Sequence, residues 1–230
     1  ANGTEVILNR AAGPRWSTKH IGGAENWSGD ESQVVDAAQE NQGIFRVWSP
    51  RLINPGGNIP RVQLTEAALA GREDYDPLHN WNTRCESPGM PIVMTGPSAF
   101  EFIDDGTTIR VRGGHYEFLR TIHMTDAKDP ETQPTSPLGY STGRWEDDTL
   151  IVETTRINWP YFDFRGTPQR ETVHVLERLT LNDDQSRLAY NMTITDPETF
   201  IKPSSLSLSW LALGETLKPI ANECDSIRGL

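Results

Sequence analysis

The stretch TVHVLERLTL, residues 172–181, decides the fold. Read with the two-residue period of a β-strand, it sends Val173, Val175, Leu179 and Leu181 to one face and Thr172, His174, Arg178 and Thr180 to the other. The apolar face must be the buried one, so Glu177, which shares its parity, falls among aliphatic neighbours. RLAYNMTIT (187–195) repeats the pattern: Leu188, Tyr190, Met192 and Ile194 turn inward, and the same parity carries Asp196 toward the mouth of whatever the strands enclose. In GGHYEFLRTIHMTD (113–126) the rule buries Tyr116, Phe118, Arg120, Ile122 and Met124 and leaves His115, Glu117 and His123 on the outer, more polar face.

Working outward, further short alternations are AFEFI (99–103), TTIRVR (107–112), HYEFLRTIHM (115–124), TLIVETTRI (149–157) and SLSLSWLAL (205–213), with a first strand in GIFRVWSP from Gly43. The turns between them, such as Asp104-Asp105-Gly106 and Asn182-Asp183-Asp184, are of hairpin type. Consecutive strands joined by short polar turns predict a mostly β fold, an antiparallel meander closing into a lipocalin-like barrel or a curved sandwich. One or two short helices are expected in the N-terminal third. One is TEAALAGRED, capped by Thr65 and stopping near Gly71, and the other a short piece near Ser32 to Glu40. The chain reads as a single domain, 1–230, made of an irregular arm (1–42), a first strand with a helix and loops (43–98), and the main antiparallel region (99–230).

The count of 21 Lys and Arg against 32 Asp and Glu gives a net charge of −11 with no basic run, which argues against nucleic acid and anionic membrane surfaces as partners. No apolar stretch approaches the length of a membrane span. There is no basic-then-apolar leader, and a start at Ala1 with ANGTEV fits the mature end of a processed secretory protein. Two cysteines, Cys85 and Cys224, stand in no CxxC or His cluster, which argues against zinc and thioredoxin chemistry. Joined as a disulfide they would contribute about 5 kcal/mol in the loop-entropy picture and place the protein in the periplasm or outside the cell. The other reading is two unrelated buried thiols.

Two ionisable groups at apolar-face positions make the sharpest functional candidate. A lone buried charge costs several kcal/mol unless paired, and Arg120 and Glu177 are each other's most plausible partner. A lumen holding them with Tyr190, Tyr116, Phe118, Met192 and Asp196 would be an apolar pocket with a few convergent polar groups. The competing reading is an internal ion pair that only fixes strand register. The aromatic stretch Asn158-Trp159-Pro160-Tyr161-Phe162-Asp163-Phe164 either folds over the barrel opening as a lid against an apolar or ring-shaped ligand, or plugs its own barrel end. In the first case Trp159, Tyr161 and Phe162 touch the ligand and Asp163 is a second carboxylate near the mouth, able to divide acid and base roles with Glu177.

Two other patterns carry less. Gly139-Tyr140-Ser141-Thr142-Gly143 matches G-x-S-x-G, but a nucleophile elbow needs a strand before the serine and a helix after it, so the match reads as accidental. His115-x-Glu117, joined by His123 or His174, could supply a metal site of nitrogen and oxygen ligands. It lacks the His-x-His spacing of a cupin, and the plainer reading is a solvated strand face.

At LGYSTGRWEDDTLIVETTRINWPYFD (138–163) the chain resembles a family of uncharacterised secreted bacterial proteins whose signature runs G-x-S-x-G-R-W-E-G-D-T-L-V-V. The likeness extends through Arg84 to Pro91, Arg120 to Met124, Val175 to Leu179 and Thr195 to Phe200; Asp147 stands where the signature has glycine. The resemblance implies secretion and a single domain, and brings no activity.

The expectation from sequence is therefore a secreted or periplasmic β-barrel binding a small, largely apolar molecule. As an enzyme it would be a cofactor-independent lyase, isomerase or hydratase, with Glu177 as acid or base and Arg120 or Tyr190 stabilising a developing oxyanion. Alternatives are a non-catalytic carrier and a cell-surface structural or assembly protein. No metal or cofactor is expected.

Overall fold

Alternating strands with one apolar face must cover that face, and here they do so by closing on themselves. The computed structural model describes residues 43–50, 62–81, 83–96, 99–113 and 118–213. Its strands are β1 (Val47–Pro50), β2 (Phe100–Asp104), β3 (Thr108–Gly113), β4 (Leu119–His123), β5 (Tyr140–Glu146), β6 (Thr149–Thr155), β7 (His174–Leu181), β8 (Arg187–Thr195) and β9 (Ser204–Leu213). They follow one another in chain order around a closed barrel, β1 lying between β2 and β9. The fold is mostly β and lipocalin-like, and the strand parity is borne out along β7 and β8. Val175, Glu177 and Leu179 are buried while His174 and Arg178 are not, and Leu188, Tyr190, Met192 and Ile194 all turn inward.

One seam departs from a meander. β4 and β5 run parallel, joined by only two partner pairs, Ile122 with Ser141 and His123 with Thr142. A parallel return needs a long crossover, which residues 124–139 supply with a 3₁₀ turn at Pro130–Thr132. β5 itself carries no strong alternation and the sequence reading assigns no strand there. It becomes a strand because all seven of its residues pair with β6, a tertiary override of weak local preference. The approach of β5 is tight: Gly139 sits at φ 70°, and a Cβ there would lie 2.5 Å from the Thr155 carbonyl oxygen. Asp147, at the β5–β6 turn, also takes a left-handed φ of 50°, a conformation for which Gly is the usual choice and which Asp tolerates.

The helix α1 spans Glu66–Glu73, capped by Thr65, whose Oγ1 accepts from the Ala68 amide at 3.2 Å. It runs on past Gly71 by one further half-turn. Across the barrel, the Trp210 ring stacks on Phe100 at 4.8 Å and on Tyr190 at 4.6 Å, tying β2, β9 and β8 through one line of rings. The expected N-terminal arm, the helical piece near Ser32 to Glu40, and Cys224 lie outside the described residues, as do His115, Tyr116 and Glu117.

Candidate functional site

Five consecutive strands each contribute one polar side chain to the barrel interior. Arg120 comes from β4, Ser141 from β5, Thr154 from β6, Glu177 from β7 and Tyr190 from β8. All five are buried. Arg120 Nη1 donates to Glu177 Oε1 at 2.9 Å and Nη2 donates to Oε2, giving the two-pronged guanidinium–carboxylate pairing that fixes geometry as well as charge. Its remaining contacts are Nε to Ser141 Oγ at 3.1 Å and Nη2 to Thr154 Oγ1 at 2.8 Å, with the two hydroxyls 2.9 Å apart. The Tyr190 hydroxyl donates to Glu177 Oε1 at 2.7 Å and lies 3.4 Å from Met192 Sδ.

The electrostatics follow from burial. Desolvation alone would depress the Arg120 guanidinium, but the Glu177 charge and hydrogen bonds outweigh it and hold the group above its ordinary value. Burial pushes the Tyr190 phenol well above its ordinary value; the Glu177 charge adds to the shift and Arg120 opposes it. Tyr190 is therefore a neutral donor. Both carboxylate oxygens of Glu177 already accept hydrogen bonds, so in this arrangement neither faces a substrate proton.

The pairing of Arg120, Glu177, Tyr190 and Met192 is thus where strand parity puts it, and Phe118 packs nearby with its ring 6.0 Å from Phe100. Ser141 and Thr154 escaped the sequence reading. Thr154 shares parity with Leu150 and Val152 and was open to the same test; Ser141 was hidden because β5 has no pattern and its motif drew attention to a nucleophile. Ser141 instead lies within β5, which turns directly into β6, so no elbow forms.

The other expected site residues lie outside this network. Asp163 Oδ1 accepts from the amides of Arg165 at 2.9 Å and Thr167 at 3.1 Å, closing its own loop. Asp196 accepts from the Arg170 amide at 3.0 Å and from Thr172 Oγ1 at 3.3 Å, pinning that same loop to the β8–β9 turn. His123 sits on the outer wall, stacked on Tyr140 at 4.7 Å and 3.1 Å from Asp126. His174 is also outside, 3.6 Å from Glu153. Among the described residues no group of three or more His, Cys, Asp or Glu side chains is placed to hold a metal ion.

A second cluster forms where the aromatic loop meets the segment after α1. Trp81 stacks with Tyr161 at 6.3 Å, meets Trp159 edge-on at 5.7 Å and is covered by Phe164 at 4.9 Å; Tyr75 meets Tyr161 edge-on at 5.0 Å. Gly166, at φ 73°, lets Tyr75 come so close that a Cβ would fall 2.0 Å from its ring. Phe162 turns the other way, against Phe200 at 4.8 Å. Gln169 Nε2 braces the loop by donating to the carbonyls of Met90 at 2.9 Å and Trp159 at 3.2 Å. Tyr75, Trp81 and Gln169 carried no periodic signal, because irregular backbone, not strand parity, brings them together.

Compared with known proteins, the chain matches no family model and no curated protein.

Proposed function

We propose that this protein is a secreted or periplasmic barrel that binds a small molecule with a largely apolar face, without transforming it, and that the aromatic end receives the ligand. The observation that carries this reading is the aromatic cluster itself. Five rings from two separate chain segments converge, and one of them, Phe164, is 46% exposed. A converging set of rings with an exposed member is the usual lining of a small-molecule site.

Catalysis at Glu177 finds less support. A general base needs an oxygen within reach of a substrate proton, and both oxygens here are engaged by Arg120, one of them also by Tyr190. The network reads better as the device that sets register across the thin parallel seam. The extracellular setting rests on the pairing of Cys85 with Cys224 expected from the sequence, a bond that persists in oxidising compartments.

Native mass spectrometry of the protein purified from its own host tests the reading. A retained non-covalent adduct is expected. A ligand-free protein that also fails to bind an apolar fluorescent probe such as anilinonaphthalenesulfonate would overturn it.

A further inference from the structure

Five side-chain polar atoms at the aromatic end are buried without a hydrogen-bond partner among the described residues: Tyr75 OH, Trp81 Nε1, Trp159 Nε1, Thr167 Oγ1 and Gln169 Oε1. Buried polar groups are almost always paired, and each unpaired one carries a desolvation penalty. Trp81, Trp159, Thr167 and Gln169 are each at most 9% exposed, so bulk water does not relieve them. Such a concentration in one loop cluster points to groups that are completed by something bound.

The chemistry of the five atoms narrows what that is. Two indole N–H groups only donate, the amide oxygen of Gln169 only accepts, and the hydroxyls of Tyr75 and Thr167 do either. None is charged. A matching ligand edge is neutral and must both donate and accept, which hydroxyl groups do. The surrounding rings of Trp81, Tyr161 and Phe164 demand a flat face of C–H groups. A pyranose ring offers both, with hydroxyls around its rim and C–H bonds on its faces.

Resting on the binding reading above, we propose that the aromatic end is a site for a neutral saccharide. The ring lies against Trp81 and Tyr161, and its hydroxyls complete Trp159, Tyr75, Thr167 and Gln169. Phe164 covers Trp81 and is half in solvent, so it is the side chain that turns aside on entry; exposed side chains change rotamer in picoseconds to nanoseconds.

Isothermal titration calorimetry of the whole chain with glucose, galactose, N-acetylglucosamine and their disaccharides, alongside anilinonaphthalenesulfonate, tests the proposal. Saturable binding of at least one saccharide is expected. Tyr75→Phe and Thr167→Val remove one unpartnered hydroxyl each while keeping the shape, and each is expected to weaken that binding about five- to tenfold. His174→Gln, on the outer wall, should leave it unchanged. If only the apolar probe binds, and Trp159→Phe weakens it, the binding reading stands and the saccharide assignment falls. If neither class binds, both fall. Saccharide binding untouched by Tyr75→Phe and Thr167→Val would move the site elsewhere and overturn the assignment.

Discussion

The barrel interior and the aromatic end hold similar numbers of buried polar groups and treat them in opposite ways. Inside the barrel, Arg120, Glu177, Tyr190, Ser141 and Thr154 bond to one another from five neighbouring strands. At the aromatic end, Tyr75, Trp81, Trp159, Thr167 and Gln169 each keep an atom without a partner. The inward face has two exceptions among the described residues, Trp210 Nε1, on a ring stacked with Phe100 and Tyr190, and Ser204 Oγ at the start of β9. A network that closes on itself sets geometry, whereas a cluster that leaves donors and acceptors open is built to meet something else. The contrast predicts that deletions in the lumen are costly and that those at the aromatic end are not.

The largest effect is expected at the ion pair. Glu177→Ala leaves the Arg120 guanidinium buried and uncompensated, and should lower unfolding free energy by about 3–5 kcal/mol in denaturant titrations. The double change Arg120→Met with Glu177→Leu removes both charges at once and should fall between neutral and about 4 kcal/mol more stable. If the pair sets register at the β4–β5 seam, the double variant will nonetheless exchange its β4 and β5 amide hydrogens faster than the parent. Equal exchange would reduce the pair to one buried contact among many.

Tyr190→Phe removes a donor to a buried carboxylate and should cost about 1.5–3 kcal/mol. It also has a pH signature. The unfolded phenol titrates near its ordinary value of about 10, and burial raises the folded one well above that. Below about pH 10 both states keep the proton and the stabilising contribution is intact. As pH rises toward the folded value only the unfolded state ionises, so stability falls. Tyr190→Phe should lack that part of the alkaline decline; an unchanged decline would mean the phenol is not shielded. Ser141→Ala, which strands the Arg120 Nε–H and takes one partner from the Thr154 hydroxyl while the bidentate ion pair stays intact, should cost about 1–2 kcal/mol.

The two regions also differ in how far the sequence discloses them. Strand parity is a property of neighbours two apart, so it placed Arg120 inward from Phe118 and Ile122, Glu177 from Val175 and Leu179, and Tyr190 from Leu188 and Met192. It missed β5 because Tyr140 to Glu146 is held in the sheet by pairing with β6, not by its own pattern. The aromatic end was half visible: Trp159, Tyr161 and Phe162 stood out by composition. Tyr75 and Trp81 did not, since what joins them is a loop geometry that depends on Gly166 and on Asp163 folding back to the Arg165 and Thr167 amides. Asp163 and Asp196 looked chemical because carboxylates near a barrel mouth often are; both hold backbone amides instead.

The smallest change in stability is expected where the polar groups are open. Tyr75→Phe and Thr167→Val each delete a buried hydroxyl that bonds to nothing among the described residues, so no interaction is lost, and a desolvated polar atom is replaced by hydrogen or methyl. Orphaned groups of this kind carry penalties of about 1–3 kcal/mol, partly offset by small repacking losses, so each variant should unfold within about 0.5 kcal/mol of the parent or up to about 1 kcal/mol later. Denaturant titration of the ligand-free protein reads this directly. The burial of the Tyr75 phenol, which with Tyr161 and Asp163 nearby raises it above its ordinary value, makes the test stringent, because a phenol that reached water would show no gain on losing its hydroxyl. Should either variant lose as much as Tyr190→Phe, the hydroxyl is already bonded in the free protein, and the aromatic end would be a second closed network like the lumen.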